Sequence, residues 1–248
     1  MAKGLCGVCG IGNCRFEKTS PYKKMLSAYH SGQLELMYTI YWRSFGGLYP
    51  MMKPKIEQDL NEINKIESEE IKESVKFTTD FYKDVFNTYG EKAEKLAKTI
   101  AEQSRGKRIR NVEDALRAYD KYKTNIDKKI DTKNRKIIAS ALESLNVDEI
   151  AKNLKKFSKG MGFVSYSIDA NDLRIELVKA VETDNWRPFF VKVETILIGI
   201  SATGIAGLGF SFLLGGPVGI LGYGLILAGI GSLIDDSLVE KANKLVGL

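Results

Sequence analysis

Hydrophobic residues recur at spacings of three and four along most of the chain, which is the period of an amphipathic helix. From Lys55 to Tyr89 this pattern predicts one long helix, or two in line, that end at Gly90. Asn111, Asp131 and Asn146 each precede a further apolar series, so they are predicted N-caps of three more helices. Further helices are predicted over 91–105 and 168–183. Because strands with strict alternation are nearly absent, the pattern predicts an all-α fold.

A second pattern follows these helices. The 40 residues from Thr195 to Ile234 include no Asp, Glu, Lys, Arg or His. As one straight helix this run would be about 60 Å long, roughly twice the hydrocarbon thickness of a bilayer. Gly215, Gly216 and Pro217 divide it into arms of 20 and 17 residues, 195–214 and 218–234. Since each arm falls within the roughly 17 to 25 residues that can span a bilayer, we predict a hairpin whose ends return to one side.

Three architectures are compatible with a hairpin of this kind. In the first, the chain is a resident membrane protein that is anchored by the hairpin and has a basic helical domain in the cytoplasm. In the second, it stores the hairpin inside amphipathic helices and releases it at a membrane. In the third, it is a wholly soluble bundle. Numerous short amphipathic helices before the hairpin favour the second, because each has an apolar face that needs cover.

Average composition conceals this segregation, since 27% charged and 44% hydrophobic residues are ordinary values for a soluble protein. The net charge is +6, and its densest basic stretch, 105–136, has twelve Lys or Arg against five acids. This stretch is either a solvated helical surface or one that meets anionic lipid. Nucleic acid is the least favoured partner, because no stacking platform, zinc finger or helix-turn-helix accompanies the charge.

Few residues suit catalysis or metal binding. His30 is the single histidine, and the three cysteines are Cys6, Cys9 and Cys14. The spacing of these cysteines and His30 fits no standard zinc finger, so we predict no metal site. We also predict no cofactor, no small-molecule substrate and no enzymatic activity. The N-terminal residues also lack the continuous apolar segment of a secretory signal peptide.

Five blocks in the C-terminal part carry a family resemblance. They are YGEKAEKLAK at 89–98, IRNVEDALRAYDKYKTNIDKKI at 109–130, NWRPFFVKVETI at 185–196, LGYGLILA at 221–228 and LIDDSLVEKANK at 233–244. In this order they resemble the C-terminal channel domain of the pore-forming colicins, and most of all the Ia and Ib group. The resemblance covers nearly all of 55–248, the predicted pore-forming domain.

That resemblance implies a bundle of about ten helices with a buried hydrophobic hairpin near the C-terminus. It implies a bacteriocin toxin that is made in the bacterial cytoplasm without a signal peptide and is released from the producer. In the inner membrane of a target cell the hairpin inserts, and a voltage-gated channel depolarises the cell. The implied partners are the anionic lipid bilayer of that cell and an immunity protein.

The resemblance and the charge pattern together assign residues to roles. The predicted inserting residues are Thr195, Ile196, Leu197, Ile198, Ile200, Ile205, Leu208, Phe210, Phe212, Leu213, Leu214, Val218, Ile220, Leu221, Leu225, Ile226, Leu227, Ile230, Leu233 and Ile234, with the tip at Gly215, Gly216 and Pro217. The predicted membrane-surface residues are Lys107, Arg108, Arg110, Lys128 and Lys129.

Residues 1–54 depart from the resemblance, because family members usually carry long receptor-binding and translocation regions before the pore domain. We expect this segment to be poorly ordered and assign it no role. A fragment, a rearranged gene product and a pore domain with an unusual leader all remain open.

Overall fold

A computed structural model describes residues 49–161, 169–196, 202–216 and 218–247. The residues so described form ten helices joined by short connections. In chain order they are α1 Tyr49–Tyr89, α2 Glu91–Ser104, α3 Val112–Lys129, α4 Thr132–Glu143, α5 Val147–Gly160, α6 Ala170–Thr183, α7 Arg187–Ile196, α8 Ala202–Leu213, α9 Gly219–Ile234 and α10 Asp236–Leu245. The all-α prediction, with about ten helices and a buried apolar hairpin near the C-terminus, is confirmed.

The chain divides into two compact units, residues 1–69 and 70–248. Of the first unit, the structure describes the part of α1 from Tyr49 to Glu69. Residues 1–48, including Cys6, Cys9, Cys14 and His30, lie outside the described residues. The predicted division at residue 54 therefore stays a prediction.

Local sequence signals place the helix ends correctly. Asn111 accepts a hydrogen bond from the backbone N–H of Asp114 at 2.9 Å, and Asp131 accepts one from Asn134 at 2.8 Å. Asn146 accepts from the N–H groups of Asp148 and Glu149. All three predicted caps are confirmed, because each satisfies a backbone donor that the helix itself leaves unpaired.

The two uncharged helices, α8 and α9, occupy the centre of the second unit. Every residue of α8 is buried, and α9 is buried from Gly222 onward. α8 packs against α2, α5 and α9, while α9 packs against α2, α3, α4, α8 and α10. The other helices therefore form a jacket around the hairpin, with their apolar faces inward. Among the helices described here, none is both long and apolar enough to cross a membrane.

The structure describes the first predicted arm, 195–214, in two parts. Thr195 and Ile196 belong to α7, which packs against α3 and α6, and the described part of α8 starts at Ala202. Thr195 is exposed and its hydroxyl donates to the Val191 carbonyl at 2.8 Å, as in a surface helix. Residues 197–201 between α7 and α8 lie outside the described residues.

Candidate functional site

The predicted hairpin residues lie mostly inside the bundle. Those that are buried are Ile205, Leu208, Phe210, Phe212, Leu213, Val218, Leu225, Ile226, Leu227, Ile230, Leu233 and Ile234. Leu214 and Leu221 are partly buried, whereas Thr195 and Ile220 are exposed. Ile196 ends α7, and Leu197, Ile198, Ile200 and Pro217 lie outside the described residues.

An aromatic cluster holds α8. The ring centroid of Phe210 lies 4.9 Å from that of Phe81 in α1 and 5.6 Å from that of Phe157 in α5. Phe81 and Phe157 are themselves 5.1 Å apart, in an edge-to-face arrangement. Contacts of this geometry stabilise beyond the area they bury, so Phe210 fixes the position of α8 between α1 and α5.

Glycines on α9 form notches that receive side chains of the jacket. A Cβ placed at Gly229 would come within 2.7 Å of Cη2 of Trp186, and one at Gly231 within 2.8 Å of Cβ of Leu238. Gly222 receives Ile138 of α4 in the same way, with 3.0 Å to its Cγ1. These close contacts of α9 are with side chains of the jacket.

We expect Gly229→Ala to lower the free energy of unfolding by about 1–3 kcal/mol. The added methyl group meets the rigid, fully buried indole of Trp186, which also packs against the Tyr119 ring at 5.2 Å between centroids. Urea denaturation followed by circular dichroism measures the effect.

Gly224→Ala is the matched control. Its Cβ meets the side chain of Val246, which is only partly buried after the end of α10, whereas Trp186 is fully buried. Alanine favours a helix over glycine by about 1 kcal/mol at both positions of α9, so the difference between the two variants measures the contact with Trp186. Equal losses in the two variants would contradict a specific role for the Trp186 notch.

The hairpin turn rests on the end of α4 and the residues after it. A Cβ at Gly215 would lie 2.6 Å from Cδ2 of Leu145, and one at Gly216 would lie 3.0 Å from the same atom. Gly215 is exposed and Gly216 is partly buried. The turn thus reaches the surface of the bundle without a charged residue in it.

The opposite, open end of the hairpin is held by the α2–α3 connector, residues 105–111. The backbone N–H of Ala202 donates to the Lys107 carbonyl at 3.0 Å, and the N–H of Arg110 donates to the Leu233 carbonyl at 3.5 Å. Because Ala202 begins α8 and Leu233 stands near the end of α9, one connector contacts both arms where they leave the core.

Two ion pairs strengthen these contacts. Lys107 Nζ lies 3.2 Å from Oδ2 of Asp235, and Arg110 Nη1 lies 2.6 Å from Oδ1 of Asp236. We name these four side chains and their connector contacts the base clamp. All four are between one third and one half exposed, with Asp235 at 34% and Asp236 at 43%. An exposed pair contributes about 0.2–1 kcal/mol, so the clamp is weak enough for other ions to displace.

Asp235 also caps α10. Its carboxylate accepts from the Ser237 N–H at 2.9 Å, and this bond together with Lys107 holds the pKa of Asp235 below its usual range. Because its pKa is lowered, ionised Asp235 stabilises the fold at any pH above the ordinary carboxyl pKa. This stabilisation is lost as the pH falls through the lowered pKa.

The five predicted membrane-surface residues divide into two groups. Lys107 and Arg110 belong to the base clamp, with the exposed Arg108 between them. Lys128 and Lys129 are exposed at the C-terminal end of α3. Basic residues therefore lie at both ends of α3.

A buried polar cluster was not predicted from the sequence. Arg135, with a side chain 6% exposed, lies 3.0 Å from Oδ1 of Asp184 and 2.8 Å from Oδ1 of Asp127. Asp184 also pairs with Lys123 at 2.7 Å and accepts from the Tyr119 hydroxyl at 3.2 Å. Burial lowers the pKa of Arg135, but the Asp184 and Asp127 carboxylates outweigh it and the net pKa is raised. The cluster joins α3, α4 and the end of α6.

Comparison with known proteins identifies the family of this bundle. Residues 61–245 match the family model described as the colicin pore forming domain. The chain belongs to the colicin pore-forming domain family. The resemblance seen in the sequence is thereby confirmed, and the matched family is named for pore formation and not for catalysis.

Individual relatives agree with this membership. Colicin-Ia of Escherichia coli is 48% identical over 205 residues, 79% of this chain and 33% of the relative. Colicin-Ib of Escherichia coli is 45% identical over 171 residues, 69% of this chain and 27% of the relative. The chain thus spans about one third or less of the length of these curated relatives.

Two solved structures share the fold. The colicin Ia structure has a TM-score of 0.73 and 42% identity, and the match covers 90% of this chain and 38% of that one. A structure from work on the import of pyocin S5 into Pseudomonas aeruginosa has a TM-score of 0.74 and 36% identity. That match covers 92% of this chain and 49% of the other.

Proposed function

We propose that this chain is a channel-forming bacteriocin domain that stores an apolar hairpin in its bundle and inserts it into the inner membrane of a target bacterium. The observation that carries this proposal is the burial of two uncharged helices, α8 and α9, beneath amphipathic helices that pack directly on them. Membership of the colicin pore-forming domain family supports it.

The energetics of the exchange support insertion. Inside the bundle the apolar arms are shielded from water by the jacket, and inside a bilayer they would be shielded by acyl chains. A charged residue at the centre of a membrane helix costs about 2.5–3.5 kcal/mol on insertion scales, and this hairpin has none over 40 residues. The turn can therefore cross a bilayer at a low cost.

Insertion requires more of the chain than the buried helices. α8 has 12 residues and α9 has 16, which correspond to about 18 and 24 Å of helix. The hydrocarbon core is about 30 Å thick, and the complete uncharged arm from Thr195 to Leu214 matches that length. We propose that the inserted first arm includes Thr195 and Ile196, which belong to α7 in the bundle.

The jacket supplies the remaining parts of the mechanism. Its basic residues would draw the domain to anionic lipid at about 1 kcal/mol per Lys or Arg near the surface. Charges on the jacket helices that move through the membrane field contribute about 2.3 kcal/mol per charge per 100 mV, which is enough for a few charges to gate a channel. The proposed partners are the anionic bilayer and an immunity protein that protects the producer. We propose that the chain is made in the bacterial cytoplasm and released.

Planar-bilayer recording tests the function. Purified protein added to one side of an anionic bilayer is expected to produce voltage-dependent conductance steps. A bilayer that stays silent at acidic and at neutral pH would contradict the proposal.

Cell fractionation tests the alternative of a resident membrane protein anchored by the hairpin. We expect most of the chain in the aqueous fraction without detergent. Recovery only after detergent extraction would favour the anchor.

A further inference from the structure

We propose that the base clamp is a release device opened by anionic lipid headgroups, which compete with Asp235 and Asp236 for Lys107 and Arg110. This inference rests on the proposed function, because it names the contact that regulates release of the same hairpin. It assigns these two basic residues a dual role: in solution they hold the hairpin, and at a membrane they bind lipid phosphate.

The position of the clamp gives it control of both arms. The α2–α3 connector bonds through its backbone to Ala202 at the start of α8 and to Leu233 near the end of α9. The Thr203 hydroxyl adds a bond to the Ser104 carbonyl at 3.3 Å, immediately before the connector. Displacement of the connector would therefore loosen both arms at the end where they join the jacket.

The ion pairs are accessible to a competing anion. An open depression of about 430 Å³ adjoins the Arg110–Asp236 pair and is lined by Arg110, Asp114, Arg117, Ala118 and Asp236. A phosphate that enters this depression meets two guanidinium groups, Arg110 and Arg117, and competes for them with the carboxylates of Asp236 and Asp114. Arginine binds phosphate oxygens through paired N–H donors. The Arg135–Asp184 pair differs, because its side chains are only 6% and 14% exposed and an outside anion does not reach them.

A bilayer reaches the clamp when the domain lies with α3 along its surface. Basic residues stand at both ends of α3, with Lys107 and Arg110 before its first residue and Lys128 and Lys129 at its end. In the proposed orientation an anionic surface along α3 would meet basic residues at both ends of that helix. This arrangement favours a lipid surface as the source of the competing phosphate.

The test follows hairpin insertion with an environment-sensitive fluorophore on Ile220→Cys, in a background where Cys6, Cys9 and Cys14 are replaced by serine. Ile220 is 40% exposed at the start of α9, so labelling leaves the core undisturbed. Vesicles contain neutral lipid with about 10 or about 40 mol% phosphatidylglycerol, compositions that bracket a weakly and a strongly anionic surface.

Asp235→Asn with Asp236→Asn is the first variant. Asparagine caps a helix as well as aspartate does, so α10 keeps its N-cap. We expect insertion about fivefold faster than in the parent at low anionic content, and a rate close to the parent at high content, where lipid has already opened the clamp. Asp120→Asn with Glu182→Gln changes the net charge equally at exposed positions and is the control.

Lys107→Gln with Arg110→Gln is the second variant and is compared with Lys128→Gln and Lys129→Gln. Both double variants lose two positive charges, but only Lys107→Gln with Arg110→Gln opens the base clamp. We expect the first to insert faster than the second at low anionic content and to depend less on that content. Thermal unfolding of each protein verifies that it folds.

The outcomes separate the two proposals. If the parent never inserts on any vesicle, the proposed function fails. If the parent inserts but the clamp variants match their charge controls at both lipid compositions, the clamp proposal is wrong and the proposed function stands.

Discussion

Gly216→Asp is expected to lower channel conductance about 100-fold at neutral pH while leaving the stability of the bundle almost unchanged. In the proposed mechanism the turn crosses the bilayer ahead of both arms, and an ionised carboxylate there adds a penalty of about 2.5–3.5 kcal/mol. In the bundle the same side chain stands at a partly exposed turn, where its charge stays hydrated. Conductance per unit of protein in an anionic planar bilayer measures the loss, and urea denaturation measures stability.

Gly216→Ala is the matched control, because it adds the Cβ without a charge. That Cβ meets Cδ2 of Leu145 at 3.0 Å, the far end of a flexible side chain, so a small rotation accommodates it. The alanine variant should conduct within about twofold of the parent. As the pH falls below about 4, an aspartate at the turn becomes protonated and conductance should recover in part. Equal conductance of the Asp and Ala variants at neutral pH would refute passage of the turn through the membrane.

The hairpin and the helix caps were predictable because both depend on residues that are close together in the sequence. Absence of charge over 40 residues and the Gly-Gly-Pro break at 215–217 define two arms without reference to any partner. Asn111 and Asp131 each accept a hydrogen bond from a backbone N–H three residues away, so the local sequence is sufficient to identify them as N-caps.

The base clamp could not be predicted, because its ion pairs join residues that are far apart in sequence. Lys107 and Asp235 are separated by 128 positions, and Arg110 and Asp236 by 126. Counting charges identified Lys107 and Arg110 as basic surface residues, but it gave no means of finding the acids beside them.

The buried cluster around Arg135 also depends on tertiary structure and has the second large expected effect. Arg135→Met is expected to lower the free energy of unfolding by about 3–5 kcal/mol. The substitution removes the guanidinium that pairs with Asp184 and Asp127 and leaves Asp184, whose side chain is 14% exposed, with one fewer cation. Urea denaturation at neutral pH measures the change.

Arg117→Met tests whether burial is the cause. Arg117 also pairs with a carboxylate, that of Asp114, but its side chain is 76% exposed. Its loss is expected to change stability by less than about 0.5 kcal/mol, as for other exposed pairs. Arg135→Lys keeps the charge but not the two-pronged geometry, so an intermediate loss is expected. Similar losses for Arg135→Met and Arg117→Met would show that the cluster does not hold the jacket together.

Arg135→Met also links the stability of the bundle to the rate of insertion. Arg135 joins α4 to α3 and to the end of α6, and both α3 and α4 pack on α9. Weaker cohesion of these helices lowers the free energy needed to expose the hairpin, so Arg135→Met should insert into anionic vesicles faster than the parent. Gly216→Asp should insert more slowly at unchanged stability. Opposite shifts in insertion rate, one with a loss of stability and one without, would distinguish opening of the jacket from passage of the turn as separate barriers in the proposed mechanism.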